Sequence, residues 1–305
     1  MERNKIMILE YSNKSYTYQT AIKEGFLCFE AIKNQDSSCF FLRLIRRLHL
    51  SSFLPFKSIW FGPWKGMVRD VDVIILFAFS FNVCVLKWLI RNAKGKRIIY
   101  YYLNPIRRAN EVELIKCYPC EQWSFDRNDC LKFGIRFNDT YYGVSKIIPQ
   151  MTTDFDVFFV GQDKGRYEFL KQIENQMNTI GLKVYFHIVS DAKLVTSNRN
   201  FKNPISYDEV LNYVSRSVAI LDVLQKGQSG LTQRPMEAIF FKKKLITTDK
   251  EIRRYDFYEP DNIFVWGEDD IGSLKDFLKK PYKELDSQII EKYSLAGWVK
   301  RFGFC

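Results

Sequence analysis

The chain has 305 residues, room for two domains of ordinary size, and carries 46 Lys+Arg against 35 Asp+Glu for a formal net charge of +11. Apolar residues make up 47% and aromatic residues 16%, with only 15 Gly and 9 Pro, which excludes a disordered, collagen-like or low-complexity chain. Two domains of this size each bury a core without disulfide support, and seven scattered cysteines read as reduced thiols of a cytoplasmic protein.

Lys5 to Leu9 predicts the first strand; its apolar run is too short for a signal peptide, and none is expected. The polar and aromatic loop Glu10 to Tyr18 then falls at a carboxyl strand end, with Glu10 at its start. Arg43, Arg46 and Arg47 stand among apolar residues and precede Phe53, Leu54, Phe56, Trp60, Phe61 and Trp64. That pattern fits a contact with an anionic membrane surface, and equally a solvated helix face beside core aromatics.

Val73 to Ile90 has the length of a membrane span, but Ser80, Asn82 and Lys87 interrupt it. Its first part reads as a buried strand, and Val85, Leu86, Leu89 and Ile90 fall at helical spacing. Asp70-Val71-Asp72 has a metal-binding spelling, yet it precedes a strand and so sits at the wrong sheet edge. Arg97 to Tyr102 predicts a further strand, and the polar residues Asn104 and Arg107 follow it at a carboxyl strand end. Cys117 and Cys120 form a CxxC with no second pair and only His49 and His187 elsewhere, so zinc and redox roles are not expected. Cys120 to Phe125 predicts a short strand, and the polar stretch Asp126 to Gln150 reads as the crossing between domains.

A second series follows, with strands at Phe155–Val160, Lys183–Val189, Val218–Val223, Lys244–Thr247 and Asn262–Val265. Helices at Arg166–Ile180 and Tyr207–Ser215 separate them. Strands alternating with helices of this length mean parallel βαβ units, hence an α/β chain of two Rossmann-like doubly wound domains. The domains are set at 1–145 and 146–285, with 286–305 a C-terminal helix crossing back to the first.

Two loops carry the chemistry. Gly161, Lys164, Gly165 and Arg166 join a strand to a helix, which brings cations to free backbone amides and suits a phosphate. The second runs from Val218 to Ala238: Gly227, Gln228, Ser229, Gly230, Leu231 and Thr232 lead into a helix with Pro235 in its first turn. Arg234 and Glu237 follow on that helix, and together these groups fit a diphosphate.

The motif G-x-x-G-L-x-x-R-x-x-E-A, with the Lys-rich turn and KLITT after it, resembles the donor domain of GT-B glycosyltransferases. The likeness is to bacterial enzymes of capsule and lipopolysaccharide O-antigen clusters, and DVFFVGQDKGR, WSFDRNDCLKFGIRFNDTYY and YDFYEPDNIFV share it, so that most of 97–265 is covered. The resemblance implies two domains facing a cleft, with the amino-terminal one holding a lipid-linked saccharide acceptor at the cytoplasmic membrane face, where Asn104 and Arg107 are the candidate acceptor contacts and Glu10 the one acidic residue nominated as catalytic base. It implies a nucleotide-sugar donor whose diphosphate meets Gly161, Lys164, Arg166, Gly227 to Thr232 and Arg234, and whose ribose meets Glu237. No metal or cofactor is implied. Ser229 stands where the retaining subgroup has another Glu, which leaves stereochemistry open. A GT-B-like epimerase, a non-catalytic sugar-nucleotide binder, and a basic nucleic-acid-binding protein are the alternatives; no nucleic-acid motif supports the last.

Overall fold

The computed structural model describes residues 2–33, 37–79, 81–106, 109–144, 151–191 and 199–304, without the side chains of 109–111. Strands β1 (Ile6–Glu10), β2 (Leu27–Glu30), β3 (Val73–Phe77), β4 (Arg97–Tyr102), β5 (Glu121–Ser124) and β6 (Arg136–Phe137) come first. Helices α1 (Tyr16–Lys23), α2 (Phe40–Ser51), α3 (Asn82–Asn92), α4 (Ala109–Lys116) and α5 (Arg127–Phe133) connect them. These strands form one parallel sheet in the order β2-β1-β3-β4-β5-β6.

A second parallel sheet follows, in the order β11-β10-β9-β7-β8. Its strands are β7 (Phe155–Gln162), β8 (Val184–Val189), β9 (Ser217–Asp222), β10 (Lys244–Thr247) and β11 (Ile263–Val265). Helices α6 (Tyr167–Thr179), α7 (Tyr207–Ser215) and α8 (Gln233–Phe240) link them, and α9 (Leu274–Lys279), α10 (Ser287–Lys292) and α11 (Leu295–Lys300) close the chain. The chain divides into one unit of Met1–Ser145 with Ser294–Cys305 and another of Lys146–Tyr293, so α11 belongs to the first.

Burial on both faces explains the unbroken apolar strands. Met7, Leu9, Ile74, Leu76, Ile98 and Tyr100 pack one face of the first sheet against α3 residues Val85, Leu86 and Leu89. The alternate residues Ile6, Ile8, Val73, Ile75, Phe77 and Ile99 meet Leu295, Trp298 and Val299 of α11. In the second unit Val157, Phe159, Leu221 and Ile246 pack with Leu170, Ile173 and Met177 of α6 and with Leu274 and Phe277.

Both sheets repeat one winding: within each unit the second strand lies outside the first, and the third to fifth lie on its other side. The winding therefore reverses between β1 and β3, and again between β7 and β9. A connection that leaves each way at that point opens a crevice at the carboxyl ends of those strands, where ligands bind in such sheets.

The structure departs from the predicted elements in three places. β2 and β6 have no counterpart among the predicted strands, because both are short and only partly apolar. The loop expected at Glu10–Tyr18 is shorter: Ser15 Oγ accepts from Tyr18 N at 3.0 Å and starts α1. Asp126 to Gly143, expected to cross between domains, is built into the first unit. Asp126 caps α5 by accepting from Asn128 N (2.9 Å) and Asp129 N (3.1 Å), and Gly134 ends it at φ +65°. The polar residues that read as linker are spent on caps and on binding α11: Arg301 Nε donates to Asn138 Oδ1 at 2.8 Å.

Candidate functional site

At the winding reversal of the second sheet, β7 ends in Gln162 and hands over to α6 through a tight turn. Buried Asp163 fixes that turn, its carboxylate accepting from Tyr167 N at 2.7 Å. Lys164 and Gly165 follow at φ +47° and +77°. Left-handed backbone costs a residue with a Cβ about 1–2 kcal/mol, and Lys164 bears it at an exposed loop tip. Arg166, expected beside a phosphate, spends its donors on the backbone. Its Nη2 donates to Gln162 O (2.7 Å), its Nε to Asp163 O (3.2 Å) and its Nη1 to Val223 O. The guanidinium thus ties the loop after β7 to the first residue after β9. Gly161 lies beside it: a Cβ there would crowd Phe159 Cζ at 3.2 Å and meet Arg166 Nη2 at an ordinary 3.7 Å.

β9 ends in Asp222, which the sequence reading missed. Its carboxylate is buried and accepts from Thr232 Oγ1 at 2.8 Å and Thr247 Oγ1 at 3.0 Å. Burial raises its pKa, while the two hydroxyls and the Arg234 and Arg166 cations pull the other way. Thr232 also caps α8, accepting from Arg234 N at 3.1 Å. One hydroxyl thus joins a strand end to a helix start. Pro235 lies buried in the first turn of α8, where its absent N–H costs nothing.

Arg234 and Glu237 face each other one helical turn apart. Arg234 Nη1 donates to Glu237 Oε2, and Tyr207 of α7 donates its hydroxyl to Glu237 Oε1 at 2.8 Å. Glu237 is fully buried, while the Arg234 side chain keeps 19% of its surface open. Burial raises the Glu237 pKa against the pull of Arg234 and Tyr207. Burial also works against the Arg234 charge, but the Glu237 carboxylate overrides it and holds the arginine pKa above its ordinary value. The expected ribose contact therefore has both oxygens occupied inside the protein.

The loop between Val223 and Thr232 turns at Gly227, φ +83°. Gln228 N–H donates to Gln225 O at 3.1 Å and its side chain to Gly230 O at 3.3 Å, so the Gln228 amide is used within the loop. Leu231 is buried as a core side chain. Ser229 is half-buried, and Gly230 is buried. Asp249, just beyond β10, is the other acid the sequence reading missed. It accepts from Glu251 N at 3.0 Å, its second oxygen is buried without a partner, and burial pushes its pKa up to about 6. Both missed acids stand at the carboxyl end of a strand, Asp222 as its last residue after an apolar run (AILD) and Asp249 two residues past it after Thr-Thr (TTD).

In the first unit Glu10 ends β1, beside that sheet's own reversal. It is buried, accepts from Tyr11 N at 2.7 Å, and burial raises its pKa against bonds from the Tyr11 and Ser12 amides and the Ser15 hydroxyl. Asn104 is exposed after β4; Arg107 lies outside the described residues. Asp70 and Asp72 stand before β3, at the opposite sheet edge. Burial pushes the Cys120 thiol up to about 11, away from a reactive thiolate. Of the three arginines of α2, Arg43 and Arg47 are exposed, but Arg46 is buried and donates to Lys33 O at 3.2 Å, which corrects its expected place on the surface. Among the described residues no helix is long and apolar enough to cross a membrane.

No family model matches the chain, and no curated protein does. Among solved structures it is similar to a GtfA/B complex bound to UDP and GlcNAc, at 11% identity over 77% of this chain and 58% of that one, TM-score 0.30. It spans less than two thirds of that chain. The spinosyn rhamnosyltransferase SpnG gives 9% identity over 96% and 91%, TM-score 0.34. The glycosyltransferase of kitacinnamycin gives 11% over 98% and 95%, TM-score 0.35. Likeness at this level carries no argument about the chain.

Proposed function

We propose that the chain is a glycosyltransferase of the GT-B type, taking a sugar from a nucleotide-sugar donor held in its second unit to an acceptor held in its first. The supporting observation is the Arg234–Glu237–Tyr207 cluster at the amino end of α8, beside the β7/β9 reversal. A helix start with a fixed guanidinium is a ready anion site, and the G-x-x-G-L-x-x-R-x-x-E-A resemblance points to the same place.

In this reading the bond from the anomeric carbon to the diphosphate breaks, and its electron pair leaves with the diphosphate. Arg234, Lys164 and the amino end of α8 meet the growing negative charge without a metal; each such donor is worth about 3–4 kcal/mol of barrier. Glu237 acts first as the residue that positions Arg234, and a ribose hydroxyl that reaches it would replace the Tyr207 hydroxyl. Gly161, Gly227, Gln228, Ser229, Gly230, Leu231 and Thr232 shape the two loops around the phosphates, with Arg166 pinning one to the other. Glu10 takes the acceptor proton, its raised pKa making it the stronger base. Asn104 and Arg107 meet the acceptor, which we assign as a lipid-linked saccharide of surface polysaccharide synthesis at the cytoplasmic membrane face.

Incubation with a panel of nucleotide-sugars tests the reading. Transfer that requires a saccharide acceptor supports it. Binding without transfer to any acceptor would leave a sugar-nucleotide binder, and normal transfer by Arg234→Ala would remove the assigned site.

A further inference from the structure

The outer face of α2 is apolar. Phe40, Phe41, Leu44, Ile45 and Leu48 are exposed, while Arg46 and Leu50 turn inward. The loop after α2 continues the pattern, with Phe53 at 107% exposure, Leu54 at 60% and Phe56 at 78%. This loop is held in place. His49 Nε2 lies 2.8 Å from Pro55 O, Lys57 Nζ donates to Leu50 O at 3.0 Å, and Phe56 sits in left-handed backbone at φ +61°. A conformation costly for an aromatic residue is thus maintained with its ring in solvent. Behind the loop is a hollow of about 390 Å³ with Phe61, Cys84 and Trp88 in its lining and Lys57, Lys87 and Arg91 among its polar groups.

Charge selects the occupant. From Ser37 to Arg69 the chain has six basic residues and no acidic one, and from Asn82 to Lys96 four and none. A second copy of the chain would bring the same cations against these, and like charges repel. A bilayer of anionic lipid offers both an apolar layer for the rings and phosphates for the cations.

We propose that α2 and the Phe53–Phe56 loop insert their apolar side chains into the interface of an anionic phospholipid bilayer, with Arg43 and Arg47 against its headgroups and Lys57, Lys87 and Arg91 holding one lipid phosphate at the hollow. The surface is independent of sugar transfer and stands or falls separately from it.

Sedimentation of the full chain with vesicles tests this. Vesicles of phosphatidylcholine with added phosphatidylglycerol should carry the protein down, and phosphatidylcholine alone should carry far less. Phe53→Asp with Leu48→Asp, both at exposed positions, should weaken binding at least about tenfold without changing the circular dichroism. Lys87→Glu with Arg91→Glu should weaken it and flatten its dependence on salt. No sedimentation with either vesicle, or equal sedimentation of wild type and Phe53→Asp/Leu48→Asp, would overturn the proposal. So would a dimer in solution that those two substitutions dissolve while vesicles bind nothing, which would make the face a contact between copies.

Discussion

Arg234 donates to Glu237 across one turn of α8, and the acceptor of that bond has no exposed surface. A ribose contact standing in solvent is removable at little thermal cost; half of a buried ion pair is not. Removing one partner leaves the other charged and desolvated, which costs about 3–5 kcal/mol. Glu237→Ala should therefore lower the thermal midpoint as well as nucleotide affinity. The double variant Arg234→Met/Glu237→Leu should recover much of the midpoint and none of the affinity. A Glu237→Ala protein as stable as wild type in urea titrations would contradict the pairing.

Asp249 gives a pH signature. Its pKa is raised from 3.8 to about 6 in the folded chain, so the native state holds that proton more tightly than the unfolded state does. The stability this contributes is present below the unfolded value and is lost as pH rises through about 6. Asp249→Asn keeps an oxygen for Glu251 N–H and carries no charge. It should raise the midpoint at pH 7.5, with the gain shrinking towards pH 4; thermal melts at both ends of that range decide it. A gain that is constant with pH would mean that ionisation is not the cause.

Arg166 predicts an effect on both stability and binding. Its loss leaves Gln162 O, Asp163 O and Val223 O without their shared donor, at about 1–3 kcal/mol for whatever stays buried. Arg166→Ala should lower the midpoint and raise the nucleotide Kd, since both loops lose their tie. Gly161→Ala should lower the midpoint only slightly and leave the nucleotide Kd nearly unchanged, because its Cβ crowds Phe159 Cζ at 3.2 Å and meets Arg166 Nη2 at an ordinary 3.7 Å. If Arg166→Ala weakened nucleotide binding with no thermal change, the arginine would be a ligand contact and not a tie.

The Glu10 carboxyl, raised by burial, sets the acid limb of transfer. The rate should fall on the acidic side at a pH above the ordinary carboxylate range, because only the ionised form accepts a proton. Glu10→Gln should lower kcat by two orders of magnitude or so while leaving the donor Kd unchanged. Measured transfer that stays rapid in Glu10→Gln assigns the base elsewhere.

Much of the fold was legible because strands such as Val73–Phe77 are covered on both faces and must be apolar throughout. β2 and β6 were not, since strands this short gain their identity from neighbours in the sheet. Arg234 and Glu237 could be placed on α8 from spacing alone. That they spend their charges on each other depends on Tyr207, thirty residues away, closing the cluster. α2 shows the same boundary. An amphipathic sequence defines two faces, and only the packed chain reveals that Arg46 points inward while Phe41 and Leu48 do not.

Trp298 of α11 stacks with Phe77 at 5.7 Å and lies against Tyr101 and Tyr141 at 4.9 and 4.4 Å, wholly buried in the first unit. Trp298→Ala should cost about 3–5 kcal/mol there. The residue arrives late, however: the ribosome makes all of Lys146–Tyr293 before it reaches Ser294. During synthesis the second unit has its full complement of residues while the first still shows the open face of β3 and β4. The first unit thus gains α11 only after every residue of the second has been made, and until then the aromatic face that Trp298 covers stays open.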